Sequence, residues 1–339
     1  MLATLSVTFP FFALVFCGYL AARRGLLPLA AIPGMNTFLL FFALPCMLYR
    51  FGASTPIAQL LDPSVALTYL FCALVMVALV VGVTRRGRIG WNDAAFGALV
   101  GAFPNTGFMG VPLLVALLGP QAAGPAIVTI LVDMVITTSL CIALSRLGHG
   151  DGDGDGDGAG QGVGAAQVSA AQAAKNALKG VAANPMPWAI LSGALVSAYQ
   201  LHLPAPVVAT VGLLADSASP VALFTIGAVL ARSNMLAASG HAPAVRWSEV
   251  LPVAGIKLFV HPLWVFAVGH TVRALGVPLE PFALTVMVLV AALPSASNVS
   301  MLAERFGADN GRIARIILVS TAAAFLSFSG AVAWMVALK

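Results

Sequence analysis

Asn105 and Asn298 each lie close to a proline in the middle of a long apolar stretch. The first stretch reads Gly101-Ala-Phe-Pro104-Asn105-Thr-Gly107-Phe-Met-Gly110-Val-Pro112, the second Ala291-Ala-Leu-Pro294-Ser295-Ala-Ser297-Asn298-Val-Ser300. Proline removes a backbone donor and clashes with the preceding turn, so neither stretch runs through as an unbroken α-helix. Half-helices that stop inside an apolar stretch present unpaired N–H groups and partial positive charge at their N-terminal ends. That setting suits a carboxylate. Asn105, next to Pro104, is the first residue expected to contact one, and Ser295, Ser297 and Asn298 beside Pro294 offer matching polar groups. The structural alternatives are that Asn105 only caps its half-helix, and that Ser and Asn of the second stretch bond helix to helix. Gly107 and Gly110 would permit close backbone approach, and Pro45, Pro112 and Pro220 are read as break or kink positions.

Asp133, Asp216, Lys257 and His261 are ionisable groups inside apolar stretches, where charge is costly and each is a functional candidate. Lys257 and His261 lie one helical turn apart and share a face. A Lys257 pair with Asp133 or Asp216 could stay charged about 15 Å into a span, at 1.5 Å per residue. Such a group would take up a proton or replace a coupling cation, or would be a fixed ion pair. His261 titrates closest to neutrality and is the natural proton carrier.

The elements that must hold these residues are membrane helices. Hydrophobic residues make up 60% of the chain and charged residues 9%, with a mean hydropathy of +0.98, against about 25% charged in soluble domains. Apolar runs able to cross a hydrocarbon core of about 30 Å fall at 3–22, 32–50, 64–84, 91–119, 123–145, 184–200, 207–231, 249–272, 281–305 and 312–337. The fold class is therefore all-α and integral to the membrane, with ten spans of which the fourth and ninth are broken. With the N-terminus outside, thirteen Lys and Arg fall on the cytoplasmic side and three (Arg50, Arg273 and Lys339) outside. The positive-inside rule thus puts both termini outside, periplasmic for an inner-membrane protein. Arg23, Arg85, Arg86, Arg312 and Arg315 read as interfacial anchors. The first run has Arg23 and Arg24 after it and no charge before it, the reverse of a cleavable signal. The net charge of +5 is this bias summed, so no nucleic-acid partner is expected; membrane lipid is. Cys17, Cys46, Cys72 and Cys141 stand singly in separate spans and read as buried inert thiols, with no metal and no cofactor implied. Neither a Gly-x-Ser-x-Gly elbow nor a His-Glu-x-x-His helix occurs, which argues against an enzyme.

Residues 146–182 form one polar segment that begins with an Asp/Gly tract, Asp151-Gly-Asp153-Gly-Asp155-Gly-Asp157-Gly, and reads as a flexible cytoplasmic linker. Its likeness to a calcium loop fails at position twelve, which is Gly162 where a Glu is required. The linker separates residues 1–145 from residues 183–339, five spans each. Ala43-Leu-Pro45-Cys-Met-Leu48-Tyr49-Arg-Phe-Gly52 echoes Ala218-Ser-Pro220-Val-Ala-Leu223-Phe224-Thr-Ile-Gly227, and Pro104 matches Pro294. An odd number of spans per half requires the halves to be inverted, and interrupted spans at matching places point to a transporter's binding site.

These blocks carry a resemblance. Pro104-Asn-Thr-Gly-Phe-Met-Gly110-Val-Pro112, Ala218-Ser-Pro220-Val-Ala-Leu223 with Gly227, Lys257-Leu-Phe-Val-His261-Pro262, and Pro294-Ser-Ala-Ser-Asn298 leading to Ala303-Glu304-Arg305-Phe-Gly307 resemble the auxin efflux carrier family. That family includes plant PIN auxin carriers and bacterial malonate or malate permeases. The resemblance implies that the fourth and ninth helices unwind and cross, as in sodium–proton antiporters and bile-acid symporters. It also implies a transport domain that moves like an elevator, Asn105 at the anion site, and a homodimer. The long regulatory central loop of plant PINs has no counterpart here. The expectation is a carrier of small organic carboxylates, a malonate- or malate-type dicarboxylate or an auxin-like acid. Passive, proton-coupled and sodium-coupled modes stay open, as does a sensor that binds the acid without moving it.

Overall fold

Prolines and capping residues set where the helices begin. Asp62 accepts from Ser64 N at 2.9 Å and from Val65 N, and Pro63 occupies the first helical position, where its missing N–H costs nothing. The computed structural model describes residues 2–55, 60, 62–86, 89–147, 185–238 and 246–337. We number the helices α1 (Leu2–Arg23), α2 (Ala31–Ser54), α3 (Pro63–Arg85), α4 (Trp91–Ala102), α5 (Thr106–Leu118), α6 (Pro120–Ser145), α7 (Pro185–Ala198), α8 (Ala205–Ala238), α9 (Trp247–Ala274), α10 (Pro281–Ala291), α11 (Val299–Arg305) and α12 (Asn310–Ala337).

Among the described residues the only contact of β type is one isolated antiparallel bridge between Pro104 and Ser295. Among the described residues seven helices are long and apolar enough to span a membrane: α1, α2, α3, α6, α8, α9 and α12. The predicted fourth and ninth spans are each split in two, α4 with α5 and α10 with α11. The predicted sixth is the 14-residue α7. Most of the linker expected at 146–182, with its Asp/Gly tract, lies outside the described residues.

Two crossings tie the outer helices together through glycine. A Cβ on Gly18 of α1 would strike the Phe224 carbonyl of α8, and one on Gly227 of α8 would strike the Val15 carbonyl of α1. Gly193 of α7 lies in the same way against Tyr49 O of α2. In a bilayer, where apolar faces gain nothing from leaving lipid, such backbone approach is what joins helices. Phe9, Phe16, Phe41, Phe71 and Leu326 point outward, as lipid-facing side chains must.

The remaining helices wrap α4 and α10, whose residues Ala94–Ala102 and Ala283–Ala291 are all buried. Here two readings from sequence are corrected. Arg312 is not an interfacial anchor: it is 1% exposed, Nη1 donates to Asp93 O at 3.0 Å, and its guanidinium lies against Gly97, which leaves it the room. Of the four thiols, Cys72 and Cys141 are buried, but Cys17 is exposed on α1 and Cys46 is half-buried.

Candidate functional site

The two breaks meet. α4 ends at Ala102 and Phe103 turns extended, so the chain leaves the helix two residues before Asn105. Asn105 N donates to Pro294 O at 2.8 Å, and Ala296 N donates to Phe103 O at 2.9 Å. Backbone groups that proline and extended geometry release from the helices are thus satisfied by the opposite break, as membrane burial demands. Ser295 N is held by Ser320 Oγ of α12 at 3.2 Å. Gly110 sits against Leu293, so a side chain there would collide, whereas nothing lies within 4 Å of a Cβ built on Gly107. Close approach therefore explains Gly110 and not Gly107.

The Asn105 side chain makes no capping hydrogen bond to α5, against the capping alternative. It is 2% exposed and its Oδ1 has no partner; the same holds for Asn298 Oδ1 and Ser295 Oγ, all buried atoms. A buried polar atom without a partner costs about 1–3 kcal/mol, and three such atoms, Asn105 Oδ1, Ser295 Oγ and Asn298 Oδ1, lie at this one crossing. The N-terminal end of α5, the 13-residue half-helix that follows Asn105, adds its free N–H groups and positive dipole end.

A cavity of about 200 Å³ opens beside the second break. Ser297 and Asn298 line it, with Asn36 of α2, Thr225 and Arg232 of α8, Phe108, Ser300, Glu304 and Asn310. Asn105, Pro104, Pro294, Ser295 and Gly107 are not part of its wall. Pro45 and Pro112 lie at the start of α-helical segments that follow short π-helical turns, Leu39–Ala43 and Thr106–Gly110, while Pro220 lies within the continuous α8.

Behind the crossing lies a second polar group, on two further π-turns, Asp133–Thr137 and Ile256–Val260. Such turns, where an extra residue is accommodated, are frequent at functional sites. Lys257 is fully buried; Nζ donates to Ala291 O at 2.7 Å and lies 3.1 Å from His261 Nδ1. Ala291 is the last residue of α10, so the ammonium sits on the freed carbonyl and negative dipole end of that half-helix. Asp133, also fully buried, accepts from Tyr69 OH at 2.9 Å and from Thr137 Oγ1 at 3.0 Å. His261 Nε2 has no partner.

Lys257 forms a direct ion pair with neither aspartate. Asp216 is elsewhere altogether, bonded to Arg50 at 2.6 Å with both side chains exposed; the Lys257–Asp216 alternative is thereby corrected. α8 thus carries Asp216 against Arg50 of α2. Sequence reasoning missed Tyr69, Ser320, Asn36 and Arg232. Thr137 had a signal, four residues from Asp133, but a partner on another helix leaves no trace in spacing.

A polytopic helical bundle with two broken helices bonded break to break, unpaired amide oxygens at the crossing and a small, partly polar cavity beside it has the build of a membrane carrier. Residues 5–332 match the model of the family described as membrane transport protein, and the chain belongs to that family, as its auxin-efflux-carrier blocks implied. A relative from Rhizobium meliloti (strain 1021), named "Putative malonate transporter", is 26% identical over 324 residues, 95% of this chain and 92% of its own length.

Proposed function

We propose that this protein is a secondary transporter of small organic carboxylate anions, malonate-type dicarboxylates first, working by alternating access with an elevator-like movement. The observation that carries the proposal is the crossing itself: two breaks bonded to each other beside the N-terminal end of α5, with the Asn105 and Asn298 amides at hand, whose Oδ1 acceptors are unpaired and whose Nδ2 groups are the donors a carboxylate would use. A carboxylate accepts hydrogen bonds only, so amide N–H groups and a positive helix end are suitable partners. Malonate is the first substrate to try because of the relative's name.

Two inverted repeats of five spans, 1–145 and 183–339, would supply the two access states. That reading draws support from the glycine crossings. A separation of 175 residues takes Gly18 to Gly193, Pro45 to Pro220 and Gly52 to Gly227. The same shift exchanges the α1–α8 contact for the α7–α2 contact. The orientation, with termini outside and residues 146–182 cytoplasmic, rests on the Lys and Arg count. Asp133, Lys257 and His261 are the proposed coupling group: charge on Lys257 holds the end of α10, and loss of its proton, or a proton reaching His261, would alter that hold.

Counterflow of labelled malonate in proteoliposomes, for wild type and Asn105→Ala, tests the proposal. Saturable wild-type exchange that the substitution removes is the expected result. A folded wild type that binds malonate without moving it would make the protein a sensor, and one that neither binds nor moves any carboxylate would sink the proposal.

A further inference from the structure

The cavity beside the second break has a feature that a one-carboxylate ligand would not use. Its lining includes neutral donors and acceptors near the crossing, Ser297 and Asn298, and a basic residue, Arg232 on α8. Arg232 is the only basic residue lining it. Among the described residues Arg232 has no ion pair: the one such pair is Arg50–Asp216, far along the same helix. Glu304 lines the same cavity from α11 yet forms no ion pair with Arg232. An exposed arginine without an ion pair among the described residues, in the lining of the same small cavity as uncharged donors, matches a ligand with two acceptor ends, one of them ionic.

We propose that Arg232 is the subsite for a second carboxylate, and that it makes this carrier selective for short dicarboxylates over monocarboxylates of the same length. The inference rests on the carboxylate-carrier reading and deepens it. A guanidinium offers a carboxylate two parallel N–H donors in a fixed plane, the strongest neutral-pH anion contact a side chain can make. Size agrees, since pockets for drug-sized ligands measure about 300–1,000 Å³ and this smaller cavity is about 200 Å³. Glu304, in the same lining, completes the selection: one guanidinium balances one extra carboxylate, and the Glu304 charge disfavours a third.

The matched probes are malonate and its monomethyl ester, which keep the same three-carbon chain and differ in one charge. In counterflow, wild type is expected to prefer malonate by about tenfold or more in kcat/KM, the loss typical of removing a charge-assisted hydrogen bond. Arg232→Gln brings that preference close to one, Arg232→Lys restores part of it, and Glu304→Gln lowers the KM for malonate. Asn105→Ala, by contrast, reduces flux of both probes. The proposal is overturned if Arg232→Gln leaves the malonate-to-ester ratio intact. It is also overturned if Arg232→Glu and Glu304→Arg each abolish flux and their combination restores it, because the pair would then be a latch between α8 and α11. Wild type that moves neither probe brings down the carrier reading itself, an outcome distinct from either. Gel-filtration profiles of each variant separate loss of a subsite from loss of fold.

Discussion

The first break, around Asn105, and the second, around Asn298, share a backbone plan and differ in what stands next to it. Residues 101–110 and 291–300 have the same order of exposure: six buried, two half-buried, two buried. In the first break the half-buried pair is Gly107 and Phe108; in the second it is Ser297 and Asn298. Polar side chains therefore reach the cavity from the second break, while Asn105 is enclosed at the crossing. The helices leading in differ as well. The carbonyl at the end of α10 is met by the Lys257 ammonium, whereas Phe103 O, past the end of α4, is met by the Ala296 amide. One fold device is thus used twice, with side chains making one copy a charged anchor and a cavity wall and the other a closed hydrogen-bonding point.

If the enclosed amide is the principal anion contact, Asn105→Ala has the largest effect, a fall of about 100-fold in malonate flux, near the upper end for one hydrogen bond to a charged group. A fall no larger than that of Asn298→Ala would erase the proposed difference between the breaks. Gly110→Leu should come next, destabilising by about 3 kcal/mol through overpacking against Leu293, read as a lowered unfolding midpoint in detergent. An unchanged midpoint would mean the crossing is looser than the contact implies. Lys257→Met strips the Ala291 carbonyl of its partner at a cost of about 1–3 kcal/mol. Replacing Ser320, which holds Ser295 N by a neutral bond, by Ala should cost less, and the reverse order would argue against the charged anchor. Asn298→Ala, at the cavity wall, should raise the KM for malonate about tenfold and leave stability intact. Gly107→Ala is the smallest, within about 0.5 kcal/mol, the usual range for a substitution into open space; a large loss of flux would move substrate contact to that backbone.

Much of the scaffold was legible because burial in lipid writes itself into composition. Runs of about 20 apolar residues gave seven long helices within a few residues of their ends, and Pro104 and Pro294 located both breaks. The π-turns at Leu39–Ala43, Thr106–Gly110, Asp133–Thr137 and Ile256–Val260 left no such mark, since one extra residue in a turn changes no pattern of hydrophobicity. Charges were harder still. Depth in a span is legible, but the partner depends on which helix lies opposite, so Asp216 was grouped with Lys257 although it pairs with Arg50, and Arg312 was placed at an interface although it is buried over Gly97.

By itself, then, the sequence determined a membrane-embedded helical protein with two proline-broken spans at matching places and amides beside the breaks. Those features are local: they follow from the hydrophobicity of twenty residues or from a missing N–H at one. Tertiary structure alone decided that the breaks bond to each other, that Lys257 rests on Ala291 O while Asp133 turns to Tyr69, and that Arg232 shares a cavity with Asn298. Each of these joins residues from separate helices, and which faces meet is set by packing over the whole bundle, as where Gly18 and Gly227 let α1 and α8 touch.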